Sequence, residues 1–167
     1  EIKTFPVPFA LNAIEENIVI FTNSNTQQFQ DKLLNKAFKY HAKGEISKAA
    51  KYYQYFIDQG FNDPRVLTNY AILCRREGNI DLAKQLYLKS ITTYPKYSDS
   101  YSNLGFLLKK ENNLQEALKY TRKAIDINPD NASAHLNLGW ILKDLGNLQE
   151  AELSTRKPIE INPDFAM

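Results

Sequence analysis

The sequence predicts an all-α solenoid of antiparallel helix pairs, and three observations carry that prediction. Asn35, Asn69, Asn103 and Asn137 stand 34 residues apart. Around each of them the chain repeats two helix-sized stretches with one apolar face. Small residues and prolines hold the same frame through four units, residues 30–165, without an insertion. A period of this length with two amphipathic segments per unit belongs to stacked repeats, in which each unit buries its apolar face only against its neighbours. Function in such an array is carried by surfaces.

Residues 1–29 stand outside the frame as an N-terminal leader. Pro6 and Pro8 oppose a helix there, and Phe5, Phe9, Ile18, Ile20 and Phe21 oppose free solvation. A partly extended segment is expected, packed along the first repeat or lying in a concave groove as a pseudo-ligand. The first unit, 30–63, shows Leu33, Ala37, Tyr40, Ala49 and Phe56, and predicts helices at about 27–43 and 46–59. It fits least well, with Lys36, Phe56 and Phe61 at repeat positions 7, 27 and 32. The second unit, 64–97, places Leu67, Tyr70, Ala71, Cys74, Ala83, Ser90 and Pro95 in frame, with helices at 64–77 and 80–93. In the third, 98–131, the same positions are Tyr101, Leu104, Gly105, Leu108, Ala117, Ala124 and Pro129, with helices at 98–111 and 114–127. The fourth, 132–165, has His135, Leu138, Gly139, Leu142, Ala151, Pro158 and Pro163, with helices at 132–145 and 148–160. Residues 166–167 begin a further unit, and together with the absence of an initiator methionine this points to a fragment of a longer protein.

Each framed position has a physical reason. Small residues at positions 8, 20 and 27 (Gly105, Ala117, Ala124) let two helices approach closely, and Leu104 and Leu108, one turn apart, fill the seam. Proline at position 32 ends the second helix and biases Tyr94, Asn128 or Asn162 before it toward extended backbone. Gly44, Gly78 and Gly146 occupy position 15, where the first helix stops and a left-handed residue is wanted; Asn112 takes that place in the third unit. Pro158 breaks the pattern by replacing the small residue of position 27. It removes the bond to Ser154 and costs about 3 kcal/mol in a straight helix, so the last turn is expected to kink, fray or re-pack.

Segments such as "SNLGFLLKKENNLQEALKYTRKAIDINPD" and "LNLGWILKDLGNLQEAELSTRKPIEINPD" resemble the tetratricopeptide repeat family. "AAKYYQYFIDQGFNDPRV" also looks like the repeat regions of marine cyanobacterial proteins. The resemblance covers about four fifths of the chain and implies a right-handed superhelix of helix pairs that binds other proteins.

Composition agrees with an interaction module. Apolar content is 43%, the net charge is +2, and the 21 basic residues are spread without a basic block, unlike a nucleic-acid footprint. Helical repeats that read RNA one base per unit typically run on a 35-residue period without this glycine, alanine and proline frame, so no nucleic-acid partner is expected. No basic start or long apolar stretch marks a signal peptide or membrane span. Cys74 is the single cysteine, which excludes an internal disulfide and favours a reducing, cytoplasmic setting. At position 11 it is expected to be a small core residue. No glycine-rich phosphate loop, zinc spacing or nucleophile elbow occurs, so neither catalysis nor a cofactor or metal is expected.

Candidate binding residues follow from the repeat geometry, in which first helices line the inner face with positions 2, 5, 6, 9, 12 and 13. Position 6 is the row Asn35, Asn69, Asn103 and Asn137, amides that can donate to and accept from an extended backbone. The row resembles the asparagine ladder of the O-linked N-acetylglucosamine transferase repeat domain; alternatively each amide bonds within its own helix. Position 9 supplies Phe38, Ile72, Phe106 and Trp140, with Trp140 either a hot spot or a packing residue for a following repeat. Positions 12 and 13 add His41, Arg75, Arg76, Lys109, Lys110 and Lys143, set against Asp31, Asp99 and Asp144, which favours a mildly acidic peptide. Part of that basic bias serves helix ends. Family members that grip the acidic tail of chaperones carry lysine and asparagine at positions 5 and 9 of the first repeat; here these are Leu34 and Phe38, so that ligand is not expected.

The last unit lacks a polar capping helix, leaving Ile159, Ile161 and Phe165 for a weak homodimer or end-to-end contact. Two further readings stand beside a peptide-binding scaffold. One is the substrate-selecting arm of a larger enzyme, since similar arrays are fused to glycosyltransferase, sulfotransferase or methyltransferase domains. The other is a structural spacer.

Overall fold

The computed structural model describes residues 26–161, and all their regular structure is helical. The helices are α1 (Thr26–Ala42), α2 (Ile46–Asp58), α3 (Pro64–Arg76), α4 (Ile80–Thr93), α5 (Ser98–Lys110), α6 (Leu114–Ile127), α7 (Ala132–Asp144) and α8 (Leu148–Ile161). Each odd helix packs on the even helix that follows it, and α5 also packs against α3 and α7. The first helices of units two to four therefore stand side by side. Helix α1 starts at Thr26, one residue from the expected 27, and Phe29 in its first turn packs edge-on against Tyr55 and Phe61. Residues 1–25 of the leader lie outside the described range.

Helix ends follow local chemistry. Gly44, Gly78 and Gly146 have φ of 73°, 85° and 81°, and Asn112 takes φ 61° in the same role. The left-handed residue lets the next N–H reach back to the carbonyl at position 11: Asn79 donates to Cys74 (2.8 Å), Asn113 to Leu108 (2.9 Å) and Asn147 to Leu142 (2.8 Å). Asp63, Asn79 and Asn131 cap α3, α4 and α7 by accepting from Arg65, Leu82 and Ala134 N–H groups. Ahead of the prolines, α4 and α6 stop at Thr93 and Ile127, and Asn128 takes extended backbone.

Glycine at position 8 sets the spacing within a pair. A Cβ on Gly105 would stand 3.2 Å from the Ala117 carbonyl and would collide with Thr121 Oγ1; one on Gly139 would meet Ala151 and Thr155 in the same way. The core runs along these seams through Leu67, Ala71, Cys74, Tyr87, Leu104, Leu107, Leu108 and Ile141, all buried. Burial raises the Cys74 thiol pKa, which fits a core role. The misfitting first unit is filled by rings: Phe56, fully buried, packs 5.4 Å from Phe61, so two aromatics replace a small residue and a proline. Polar seams tie the units together. Ser100 bonds both Thr68 (2.8 Å) and Ser90 (2.6 Å), and Asn131 donates to Ser98 (3.0 Å) and Asp99 (2.9 Å).

Helix α8 runs through Pro158 to Ile161, so the expected fraying of that turn does not occur. Pro158 is buried, and its compact ring takes the place that Ala124 fills one unit earlier. Ile159 is 46% exposed; the Ile161 side chain and Phe165 lie outside the described residues. Among the described residues no helix is long and apolar enough to cross a membrane.

Candidate functional site

The inner face of α3, α5 and α7 carries a run of contacting basic and aromatic side chains. The Arg75 guanidinium lies 4.9 Å from the centre of the Phe106 ring, and Lys110 Nζ lies 5.5 Å from it. Phe106 in turn packs against Trp140, ring centres 6.2 Å apart. These contacts link consecutive units at positions 12, 9 and 9, so the pattern that formed the repeats also assembles the site. Trp140 remains 43% exposed, whereas Phe106 and Ile72 are half-buried and Ile72 packs on the central core. Phe38 belongs to a separate patch, between Tyr53 (6.0 Å) and the Arg65 guanidinium (5.3 Å).

The expected cations divide into two groups. Arg76, Lys110 and Lys143 are exposed on this side, while Lys109 is paired with Asp144 at 2.9 Å. Arg75 is half-buried, held between Phe106 and the hydroxyl of Tyr87. Burial pushes the Tyr87 hydroxyl up to about 12, with Arg75 opposing that rise. His41 pairs through Nδ1 with the Tyr53 hydroxyl at 2.8 Å, and burial first, then Arg76, hold its pKa below the ordinary value.

The four asparagines are not equivalent. Asn35 is exposed beside Asp31, Lys32 and Lys39, where α1 borders a shallow cavity of about 430 Å³. Asn69 sits against the Tyr53 hydroxyl. Asn103 donates to the Asp99 carbonyl of its own helix at 2.8 Å. Asn137 is buried and gives its amide hydrogens to the Ser102 carbonyl (3.1 Å) and hydroxyl (3.0 Å) on α5. A uniform row of free amides is thus replaced by one exposed amide, one beside a tyrosine and two whose donors are engaged within the fold. The reason is close packing of α5 on α7, which brings the Ser102 backbone within reach of Asn137. Sequence reasoning also missed Arg65 and Tyr87, whose neighbours lie one unit or one helix away and share no frame position with them.

Comparison with known proteins agrees with this architecture. Residues 64–97, 98–131 and 120–152 match profiles described as tetratricopeptide repeat. A curated relative, the uncharacterized protein YgeG of Escherichia coli (strain K12), is 30% identical over 87 residues, 52% of each chain. This chain therefore spans about half the length of that relative. Among solved structures, a crystal structure of MamA superimposes with TM-score 0.69 at 18% identity, covering 86% of this chain and 84% of its own. A MamA from Desulfovibrio magneticus RS-1 gives 0.66 at 19%, covering 80% and 76%. TTC0263, a thermophilic repeat protein of Thermus thermophilus, gives 0.70 at 21%, covering 80% and 75%. With the 34-residue frame, the left-handed stops and the glycine-spaced helix pairs, these matches establish that the chain belongs to the tetratricopeptide repeat family.

Proposed function

We propose that this chain is a non-catalytic protein-interaction scaffold whose inner face holds an extended, mildly acidic segment of a partner protein. Membership of the repeat family supports the scaffold role at the coarse level. The groove reading rests on one observation above the others: an exposed tryptophan, Trp140, continues a chain of contacting side chains from Arg75 through Phe106 on the face where first helices meet. Exposed aromatic surface ringed by cations is the combination that binding centres favour. Arg76, Lys110 and Lys143 supply the positive rim, and the exposed Asn35 remains available for a peptide backbone. Among the described residues no group of three or more His, Cys, Asp or Glu is placed to hold a metal ion. The partner enters as a macromolecular segment, and no reaction is assigned to these residues.

The test is a pull-down from cell extract with the intact chain, Trp140→Ala, and Leu153→Ala as a control at a residue 67% exposed on α8. Partners lost only with Trp140→Ala support the groove. Equal recovery by all three proteins would refute it.

A second reading concerns the end of the array. Ile57, Ile91 and Ile125, at repeat position 28, each pack against the core of the following unit, whereas the equivalent Ile159 is 46% exposed. It is our candidate for self-association, a weak homodimer that Ile159→Lys should abolish. A wild-type chain that stays monomeric by light scattering at high concentration would sink this reading.

A further inference from the structure

Arg75 differs from the other fixed cations of the molecule. Arg65 is paired with Asp63 (2.7 Å), Lys84 with Glu111 (3.2 Å), Lys109 with Asp144 (2.9 Å) and Arg122 with Glu150 (2.9 Å). Arg75 has no carboxylate within ion-pair distance among the described residues, although it is half-buried. Its Nε is buried without a well-formed hydrogen bond, and the hydroxyl of Tyr87, a fully buried side chain, lies against the guanidinium without meeting hydrogen-bond geometry. Two carboxylates on the neighbouring first helices are already engaged: Asp144 by Lys109, and Asp99 by Asn131. A half-buried guanidinium placed over a ring and left without a counter-charge is costly unless an anion completes it. Its position is also restricted, because the guanidinium rests over the Phe106 ring at 4.9 Å.

The adjoining surface is apolar. Phe106 and Trp140 stand 6.2 Å apart, and the two contact distances end to end put the guanidinium within about 11 Å of the indole. Extended chain advances about 3.3 Å per residue, so a carboxylate and a large apolar side chain two or three residues apart span that gap with their own reach. Resting on the groove reading above, we infer that Arg75 anchors a carboxylate and the Phe106–Trp140 pair seats an apolar side chain, so that this face selects extended segments in which an acidic residue stands two or three positions from a large apolar one. Lys110, over the same ring, and the exposed Arg76 favour the same sign of ligand charge. The face is therefore expected to recognise side chains at two fixed points, with backbone amides secondary, since Asn103 and Asn137 spend their donors within the fold.

The experiment is selection of a displayed library of random twelve-residue peptides on the full chain, with counter-selection on Trp140→Ala. The inference expects an enriched Asp or Glu two or three residues from Trp, Phe, Leu or Ile. The best enriched peptide, made synthetically, should lose about tenfold to a hundredfold in affinity against Arg75→Gln, the range for a hydrogen bond to a charged group. Its Asp→Asn form should lose as much against the unaltered chain, a readout independent of how Arg75→Gln folds. Peptides that require Trp140 but carry no acidic residue, or whose Asp→Asn form binds equally well, would overturn the inference and leave the groove reading standing. No enrichment over Trp140→Ala would overturn both.

Discussion

Replacing Gly105 by alanine puts the helix-pair geometry to a quantitative test. The added Cβ collides with Thr121 Oγ1 and stands 3.2 Å from the Ala117 carbonyl and 3.3 Å from the Thr121 amide nitrogen. The first obstacle is a side chain that can rotate; the other two are backbone of α6, so α5 must withdraw by a few tenths of an ångström along a fully buried seam. Overpacking of this kind costs about 1–3 kcal/mol, while alanine in place of glycine inside a helix returns about 1 kcal/mol. The net expectation is destabilisation of up to about 2 kcal/mol, or a fall in Tm of up to roughly 8 °C for a chain of this size. Urea unfolding followed by circular dichroism at the helical band measures it. Thr121→Ala in the same chain should recover part of the loss, because it clears Oγ1, itself without a hydrogen-bond partner, but leaves the carbonyl in place. Gly146→Ala is the companion control, since nothing lies within 4 Å of its Cβ and its cost comes from φ +81° alone. A Gly105→Ala protein as stable as the parent, or more so, would refute the claim that glycine is required by close approach of α5 and α6.

Three further outcomes are expected. His41 has a folded-state pKa below its ordinary value, so the unfolded chain binds the proton more readily, and stability should fall as pH drops through about 6.5 before levelling below the folded pKa; His41→Gln should flatten that part of the pH profile of unfolding. Asn137→Ala removes two donors to Ser102 and should cost about 1–2 kcal/mol in urea unfolding, whereas exposed Asn35→Ala should cost nothing measurable, a contrast that would vanish if the four amides were equivalent. Pro158→Ala restores a donor to the Ser154 carbonyl inside α8 and should raise stability by about 1–3 kcal/mol, and a loss of stability would show that the buried ring contributes more by packing than the missing bond removes.

The period and the punctuation residues carried most of the fold. Gly44, Gly78, Asn112 and Gly146 mark helix stops because left-handed backbone is a local demand, legible residue by residue. Gly105 and Gly139 were equally readable, since a small residue between two apolar stripes signals close approach. The first unit was harder because Phe56 and Phe61 replace small and proline residues, and ring packing depends on partners distant in sequence. The site was legible as a set of faces and not as a set of partners. Positions 9 and 12 pointed to Phe106, Trp140 and Arg75, which touch one another across units, yet the identical asparagines at position 6 diverged. Which carbonyl an amide meets depends on the spacing between units, and the period alone does not encode it. The same limit hid Lys109's pairing with Asp144 and the seating of Arg75 against Tyr87.

The measurement that bears most directly on the groove uses the chain's single tryptophan as its reporter. Trp140 fluorescence, excited selectively and quenched with acrylamide, should be followed with and without a partner segment recovered by pull-down or library selection. Binding in the groove should shield Trp140 from the quencher and shift its emission to shorter wavelength, and raised salt should weaken that effect because the rim is cationic. A partner that binds at full stoichiometry while leaving Trp140 as accessible to acrylamide as in the free chain would contradict the account.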